Sequence, residues 1–231
     1  MFLYFTQIEP PEPETLAVLE RKGWQCLHFP FRRAELLEVN PPEPFGQFDA
    51  LILTSRRAAQ WLLAGNYRDL PPLAVVGAAT AQLLQDHRLL FPKNPPPNAA
   101  ALVSRLRKRF SAPARFLFLK GEAAPETLKS ELQPHEVTVS TVYRTVPIEE
   151  KTRPLQQPAM VYFQAPSTVS DFMERYGKPP ARIAAIGPST AAALSSLGWA
   201  IDFQAERPET ASFAATLPAA KFFQKDELGK K

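Results

Sequence analysis

The sequence predicts an α/β protein made of two parallel-sheet α/β domains joined by a two-stranded linker. Short, nearly continuous apolar runs alternate with stretches of helical period. A strand, helix, strand and helix return in altered form 110 residues later. The second copy lacks a leading strand of its own, and the N-terminal segment has one to supply.

Taken in order, "FLYFTQIEPPEPETLAVLERKGWQCLHFP" reads as strand, helix and strand. "FRRAELLEV" follows as a first crossing between domains. "ALILTS", "LAVVG" and "RFLFLKG" are runs of the kind buried on both faces of a parallel sheet. In "PETLKSEL" Pro125 suits a first helical position and Leu128 faces Leu132. "TVYRTVPI" makes the return crossing, and the two crossings side by side form a hinge of paired extended segments. "MVYFQA" and "RIAAIG" are the last strands. Between them, "STVSDFMERYG" carries Val169, Phe172, Met173 and Tyr176 at helical spacing before Gly177 stops it. Such alternation implies α/β units with right-handed crossovers. The 25 prolines, about twice average usage, fall between these segments and mark stiff connections. The expected domains are 1–33 with 147–231, discontinuous, and 34–146, inserted.

"VVGAATAQLL" at 75–84 and "AIGPSTAAAL" at 185–194 are the clearest repeat. Gly77 and Gly187 lie 110 residues apart, as do Thr80 and Thr190, and the same shift sets "MVYFQAPST" beside "ALILTSRRA". "FPKNPPPNAAALVSRL" and "FQAERPETASFAATL" correspond after a slip of two residues. Two related domains explain this register better than chance likeness between strand, glycine and helix corners.

Composition narrows the function classes. At 45% hydrophobic and 22% charged residues, the 231-residue chain can fold by burial alone. Cys26, the single cysteine, cannot form an intrachain disulfide, and no secretion leader precedes the first strand, so a cytoplasmic location is expected. No apolar run is long enough for a membrane helix. "KDEL" at 225–228 is followed by three residues and is no terminal retrieval signal. The net charge of +4 is concentrated partly in "SRLRKRF" and the terminal lysines; without an aromatic ladder these read as a solvated helix face and a tail, not as a nucleic-acid surface. No G-x-G occurs, which removes the dinucleotide fingerprint and the P-loop. His28, His87 and His135 are isolated, so neither a metal site nor a Cys/His nucleophile is expected.

What remains is a set of strand ends with hydroxyls and accessible amides: Thr54 and Ser55, Thr80, Lys120 and Gly121, Ser167 and Thr168, Ser189 and Thr190. Ligands of open parallel sheets sit beyond the carboxyl ends of the strands, where helix N-termini direct unpaired N–H groups at anions. Each hydroxyl alone suits a helix N-cap. Tyr143, in "STVYRTV", is expected at a strand end leading into the crossing, either packed there or with its hydroxyl at a cleft mouth.

With these residues assembled, the chain resembles the uroporphyrinogen-III synthase family. "FDALILTSRRA", "LAVVGAATAQLL", "FLFLKGE...LKSEL...EVTVSTVYRT", "MVYFQAPST" and "AIGPSTAAALSSLGW...AERPETASFAATL" follow that family's order and spacing. The resemblance implies two α/β domains with the substrate cleft between them, and cyclisation of a linear tetrapyrrole, hydroxymethylbilane, with inversion of ring D. It implies no metal and no cofactor, no nucleic-acid or membrane partner, and a monomer. Tyr143 matches the family tyrosine and is the candidate general acid. Ser55, Thr80, Gly121, Ser167, Ser189 and Thr190 are the candidate substrate-binding residues. Three departures stand out: the family's Thr-Arg after the first strand reads Thr6-Gln7, its Thr-Ser after "MVYF" reads Gln164-Ala165, and no arginine follows Gly121. Two other readings are a non-catalytic cytoplasmic protein that binds or senses an acidic metabolite or tetrapyrrole, and a structural α/β protein whose caps serve only folding.

Overall fold

A computed structural model describes residues 1–149 and 154–224. In chain order the elements are β1 (Phe2–Phe5), α1 (Pro13–Arg21), β2 (Gln25–His28), β3 (Arg32–Leu36), β4 (Ala50–Leu53), α2 (Arg56–Ala64), β5 (Leu73–Val75) and α3 (Ala78–Leu83). They continue with α4 (Ala99–Arg109), β6 (Arg115–Gly121), α5 (Thr127–Glu131), β7 (Glu136–Pro147), β8 (Ala159–Phe163) and α6 (Pro166–Tyr176). β9 (Arg182–Ala185), α7 (Pro188–Ser196), β10 (Phe203–Gln204), α8 (Thr210–Thr216) and α9 (Ala220–Gln224) complete the described chain. "KDEL" and the last three lysines lie outside the described residues.

Two compact units result, Met1–Arg33 with Pro147–Lys231 (unit 1) and Ala34–Val146 (unit 2). Unit 1 holds a sheet of order β2-β1-β8-β9-β10, parallel throughout. The sheet of order β5-β4-β6-β7-β3 is parallel from β5 to β7. β3 meets β7 antiparallel: Leu37 N donates to Val142 O and Ile148 N to Phe31 O, both at 2.9 Å.

Alternation along each strand explains why both faces are covered. In unit 1, Leu3, Phe5, Met160 and Tyr162 pack on Leu19 of α1 and Phe213 of α8. Tyr4, Val161 and Phe163 face the other way, onto Val169 and Phe172 of α6 and Leu194 of α7. In unit 2, Leu51, Leu53, Leu117 and Leu119 meet Ala58, Trp61 and Leu62 of α2. Ala50, Ile52, Phe116 and Phe118 meet Leu102 and Leu106 of α4 and Leu128 of α5. These faces are fully buried, which is why the sequence shows continuous apolar runs instead of a two-residue rhythm.

The internal repeat is visible in the architecture. α2 and α6 start 110 residues apart, as do α3 and α7, while α4 and α8 start 111 apart. β4 and β5 occupy the sheet positions of β8 and β9, and β6 and β7 those of β1 and β2.

Local chemistry sets the helix ends. Ser55 caps α2, its Oγ accepting from Ala58 N at 3.2 Å, and Asn98 caps α4 through Ala101 N at 2.9 Å. Arg107, Lys108 and Arg109, the basic cluster of the sequence, fill the last turn of α4, where cations complement the helix dipole. Gly177 ends α6 at φ +68°, a backbone angle that favours glycine, and its N–H donates to Met173 O at 2.9 Å. Two sequence expectations need correction. α5 begins at Thr127, so Pro125 precedes its N-cap instead of opening the helix. Met173 is exposed at 43%, because the buried stripe of α6 runs through Val169 and Phe172 and leaves it at the margin.

Candidate functional site

In each sheet, adjacent strands send their connections to opposite faces at one place. In unit 1 that place lies between β1 and β8, since α1 packs on one face and α6 on the other. In unit 2 it lies between β6 and β4, with α5 and α2 on opposite faces. Beyond the carboxyl ends of the strands, such a switch point is where open α/β sheets receive ligands.

The switch point of unit 2 gathers Ser55, Arg57, Lys120, Gly121 and Tyr143. Gly121, the last residue of β6, is paired with Tyr143 of β7 across an irregularity in register. A Cβ on Gly121 would lie 2.3 Å from Tyr143 Cζ and 2.6 Å from its hydroxyl, so the ring rests directly over this glycine. Tyr143 O accepts Glu122 N at 2.9 Å, which anchors the backbone, and the Arg57 guanidinium stands 5.9 Å from the ring centroid. Tyr143 thus rests on Gly121 with the Arg57 guanidinium near its ring. It is not at a strand end, as its sequence position implied, because β7 continues four residues further to Pro147.

The paired Gly-x-x-Thr corners differ in detail. Gly77 adopts φ +83°, a conformation that favours glycine, whereas Gly187 is extended. Thr80 and Thr190 are both buried in the first turn of their helices, α3 and α7, not at the N-cap. Thr190 Oγ1 is fully buried without a hydrogen-bond partner. Ser167 and Ser189 follow Pro166 and Pro188, the first residues of α6 and α7, and so are not caps either. The caps there are Ala165 and Gly187, which offer no side-chain acceptor. Of the candidate hydroxyls, Ser55 alone caps a helix.

Unit 1 closes its switch point differently. Thr6 Oγ1 donates to Tyr162 O at 3.0 Å and meets Thr168 Oγ1 at 3.4 Å. Gln164 Nε2 donates to Thr210 Oγ1 at 2.9 Å, and Thr210 Oγ1 donates to Gln7 Oε1 at 3.4 Å. Two of the three sequence departures, at Gln7 and at Gln164, therefore meet in one uncharged network. Beneath it Tyr162, fully buried, stacks on Phe213 with centroids 3.6 Å apart. Desolvation pushes the Tyr162 phenol well above its ordinary range, against a smaller opposing effect of Gln164 and Thr210.

Sequence reasoning did not single out Arg57, Tyr162 or Thr210. Arg57 lies within the quoted run "FDALILTSRRA", while the partners of Tyr162 and Thr210 lie far along the chain. Cys26 offers no nucleophile, since burial and then the Glu20 carboxylate push its thiol up to about 12. Among the described residues no cluster of His, Cys, Asp or Glu could hold a metal ion, and no helix is long and apolar enough to cross a membrane. A cavity of about 550 Å³ is lined by Arg182, Asp202, Phe203 and Phe222, beside the first residue of β9, at the sheet edge opposite the strand ends described above.

Comparison with known proteins adds a family. The family model described as HEM4, uroporphyrinogen-III synthase HemD, matches residues 14–215. A solved uroporphyrinogen-III synthetase from Helicobacter pylori is similar with a TM-score of 0.60 at 19% identity, covering 92% of this chain and 96% of that one. The uroporphyrinogen III synthase of Thermus thermophilus is 19% identical over 98% of this chain and 99% of that one, with a TM-score of 0.40. The Helicobacter structure shows a shared fold. No curated protein sequence matches.

Proposed function

Because this chain belongs to the uroporphyrinogen-III synthase family, we propose that it closes hydroxymethylbilane to uroporphyrinogen III, inverting ring D and releasing water. The family match over residues 14–215, which reaches into both units, carries this reading. The strand ends support it: hydroxyls, first-turn amides and a lysine suit a substrate that bears many carboxylates. In this reading each unit is a domain that contributes groups to the substrate, and the enzyme works as a cytoplasmic monomer without metal or cofactor.

The chemistry asks for positioning above all, since an unaided bilane closes head to tail without inversion. Ser55, Thr80, Gly121, Ser167, Ser189 and Thr190 fix carboxylates and fold the chain. Tyr143 gives its proton to the departing hydroxyl as the C–O bond breaks, so that water leaves. The substituted α-carbon of ring D then bonds to the methylene freed on ring A, giving a spiro intermediate. That carbon's bond to the methylene it shares with ring C breaks, the released methylene bonds to the unsubstituted α-carbon of ring D, and loss of the proton from that carbon restores the aromatic ring. Gly121 provides the floor for that phenol. Gly121→Ala is expected to lower turnover as the new methyl group displaces the ring, with little change in melting temperature, read by steady-state kinetics beside a thermal melt.

Thr190→Val and Thr80→Val are each expected to weaken binding of an octacarboxylic porphyrin. Thr190→Val should do so without loss of stability, because its hydroxyl is buried and unpartnered in the free protein. Fluorescence titration and a thermal melt of each variant check both halves.

The decisive experiment supplies freshly made hydroxymethylbilane and separates type I from type III product by chromatography. Type III in excess is the expected result; type I alone at the uncatalysed rate sinks the proposal. A second reading, a non-catalytic tetrapyrrole-binding protein, draws on the uncharged Gln7, Thr210 and Gln164 network. It expects an octacarboxylic porphyrin to raise the melting temperature with no type III product formed.

A further inference from the structure

Lys22 and Lys120 give two different pictures of a lysine in this fold. Lys22 Nζ donates to Ala214 O, Ala215 O and Leu217 O, each at 2.8 Å, so its three donors are used at the end of α8. Lys120 is only 5% exposed, yet its contacts are longer: Glu122 O at 3.4 Å and Glu126 Oε1 at 3.6 Å. Charge-assisted N–H···O bonds normally close to about 2.7–2.9 Å. A desolvated ammonium held this loosely is a liability for stability alone, because the cost of removing it from water is incompletely offset.

Its place in the fold suggests what offsets that cost. Lys120 is the penultimate residue of β6, beside Gly121, at the switch point of unit 2. It follows Phe118 by two residues, on the face covered by α4 and α5, and its ammonium meets the turn that leads into α5. Glu126, its acidic partner, is 60% exposed and makes no side-chain cap to α5, so its carboxylate is free to swing into water.

We propose that Lys120 is a carboxylate-binding residue, and that Glu126 occupies the ammonium in the free protein and gives way to an acidic group of the ligand. Binding then exchanges a long ion pair for a short one, and Glu126 acts as an internal competitor that weakens affinity. The inference rests on the reading of this chain as a protein for a polycarboxylate tetrapyrrole and adds to it a charged group and a built-in rival for that group.

The test titrates an octacarboxylic porphyrin into the full chain and its Lys120→Met, Lys120→Arg, Glu126→Gln and Lys120→Met/Glu126→Gln variants, with a thermal melt of each. Lys120→Met should weaken binding about tenfold and melt no lower than the parent, since a methionine fills the same space without a charge. Lys120→Arg should retain most of the affinity. Glu126→Gln should tighten binding about threefold, and that gain should vanish in the double variant. Equal affinities throughout, or a gain from Glu126→Gln that survives without Lys120, overturn the inference while the functional reading stands. A Lys120→Met variant that melts lower overturns it by assigning the lysine a structural role. A parent protein that binds no porphyrin overturns both.

Discussion

Tyr143→Phe is expected to lower type III formation by about 100-fold, within the range a positioned general acid contributes, while the fold and product binding persist. The substitution removes one oxygen and nothing else. The ring still packs against the core of α2 and still covers Gly121, and the backbone bond from Glu122 N to Tyr143 O is untouched. The loss should fall on kcat, with KM nearly constant, because the phenol acts on the leaving hydroxyl and not on the carboxylates. Initial rates of type I and type III formation, followed by chromatography over a range of substrate concentrations, give both numbers. Undiminished turnover would remove Tyr143 from the reaction, and a rise in KM alone would make it a binding residue.

Phe213→Ala should be strongly destabilising, costing about 3–5 kcal/mol. Phe213 is fully buried and stacks on Tyr162 at an interplanar angle of 10°. It also meets Phe5 and Phe203 edge-on, with centroids 6.4 and 5.7 Å away. Its neighbours Leu3, Phe5 and Met160 come from β1 and β8, and strands paired on both sides cannot close around the void. The same void would admit water to the Tyr162 phenol and bring its raised pKa back toward the ordinary value. Urea unfolding followed by fluorescence, with an alkaline absorbance titration of tyrosine, checks the two effects. A cost below about 1 kcal/mol would mean that the aromatic cluster repacks.

The strands were legible in the sequence because burial on both faces leaves an unbroken apolar signature, as in "ALILTS" and "MVYFQA". The repeat was legible because its register holds without a gap from β4 to α3 and from β8 to α7. Sheet order was not, since pairing joins residues as distant as Phe2 and Ala159, and the two switch points exist only once that order is known. Ser55 caps its helix as its residue type suggests, but Ser167 and Ser189 lie two residues beyond the caps, because proline takes the first position of α6 and α7. Gln7 and Gln164 stand 157 residues apart in the sequence, which gives no sign of a link. That they share Thr210 depends on α8 packing over the end of β8, which no local pattern announces.

The antiparallel pairing of β3 with β7 bears on how one module sits within the other's sequence. The polypeptide leaves unit 1 after Arg33 and re-enters it at Pro147, and the flanking residues Phe31 and Ile148 are bonded neighbours. A gene segment inserted at that point enters and exits through one doorway, so the host sheet is never asked to open. The two modules are thus permutations of one connection order, with β6 and β7 following β4 and β5 where β1 and β2 precede β8 and β9.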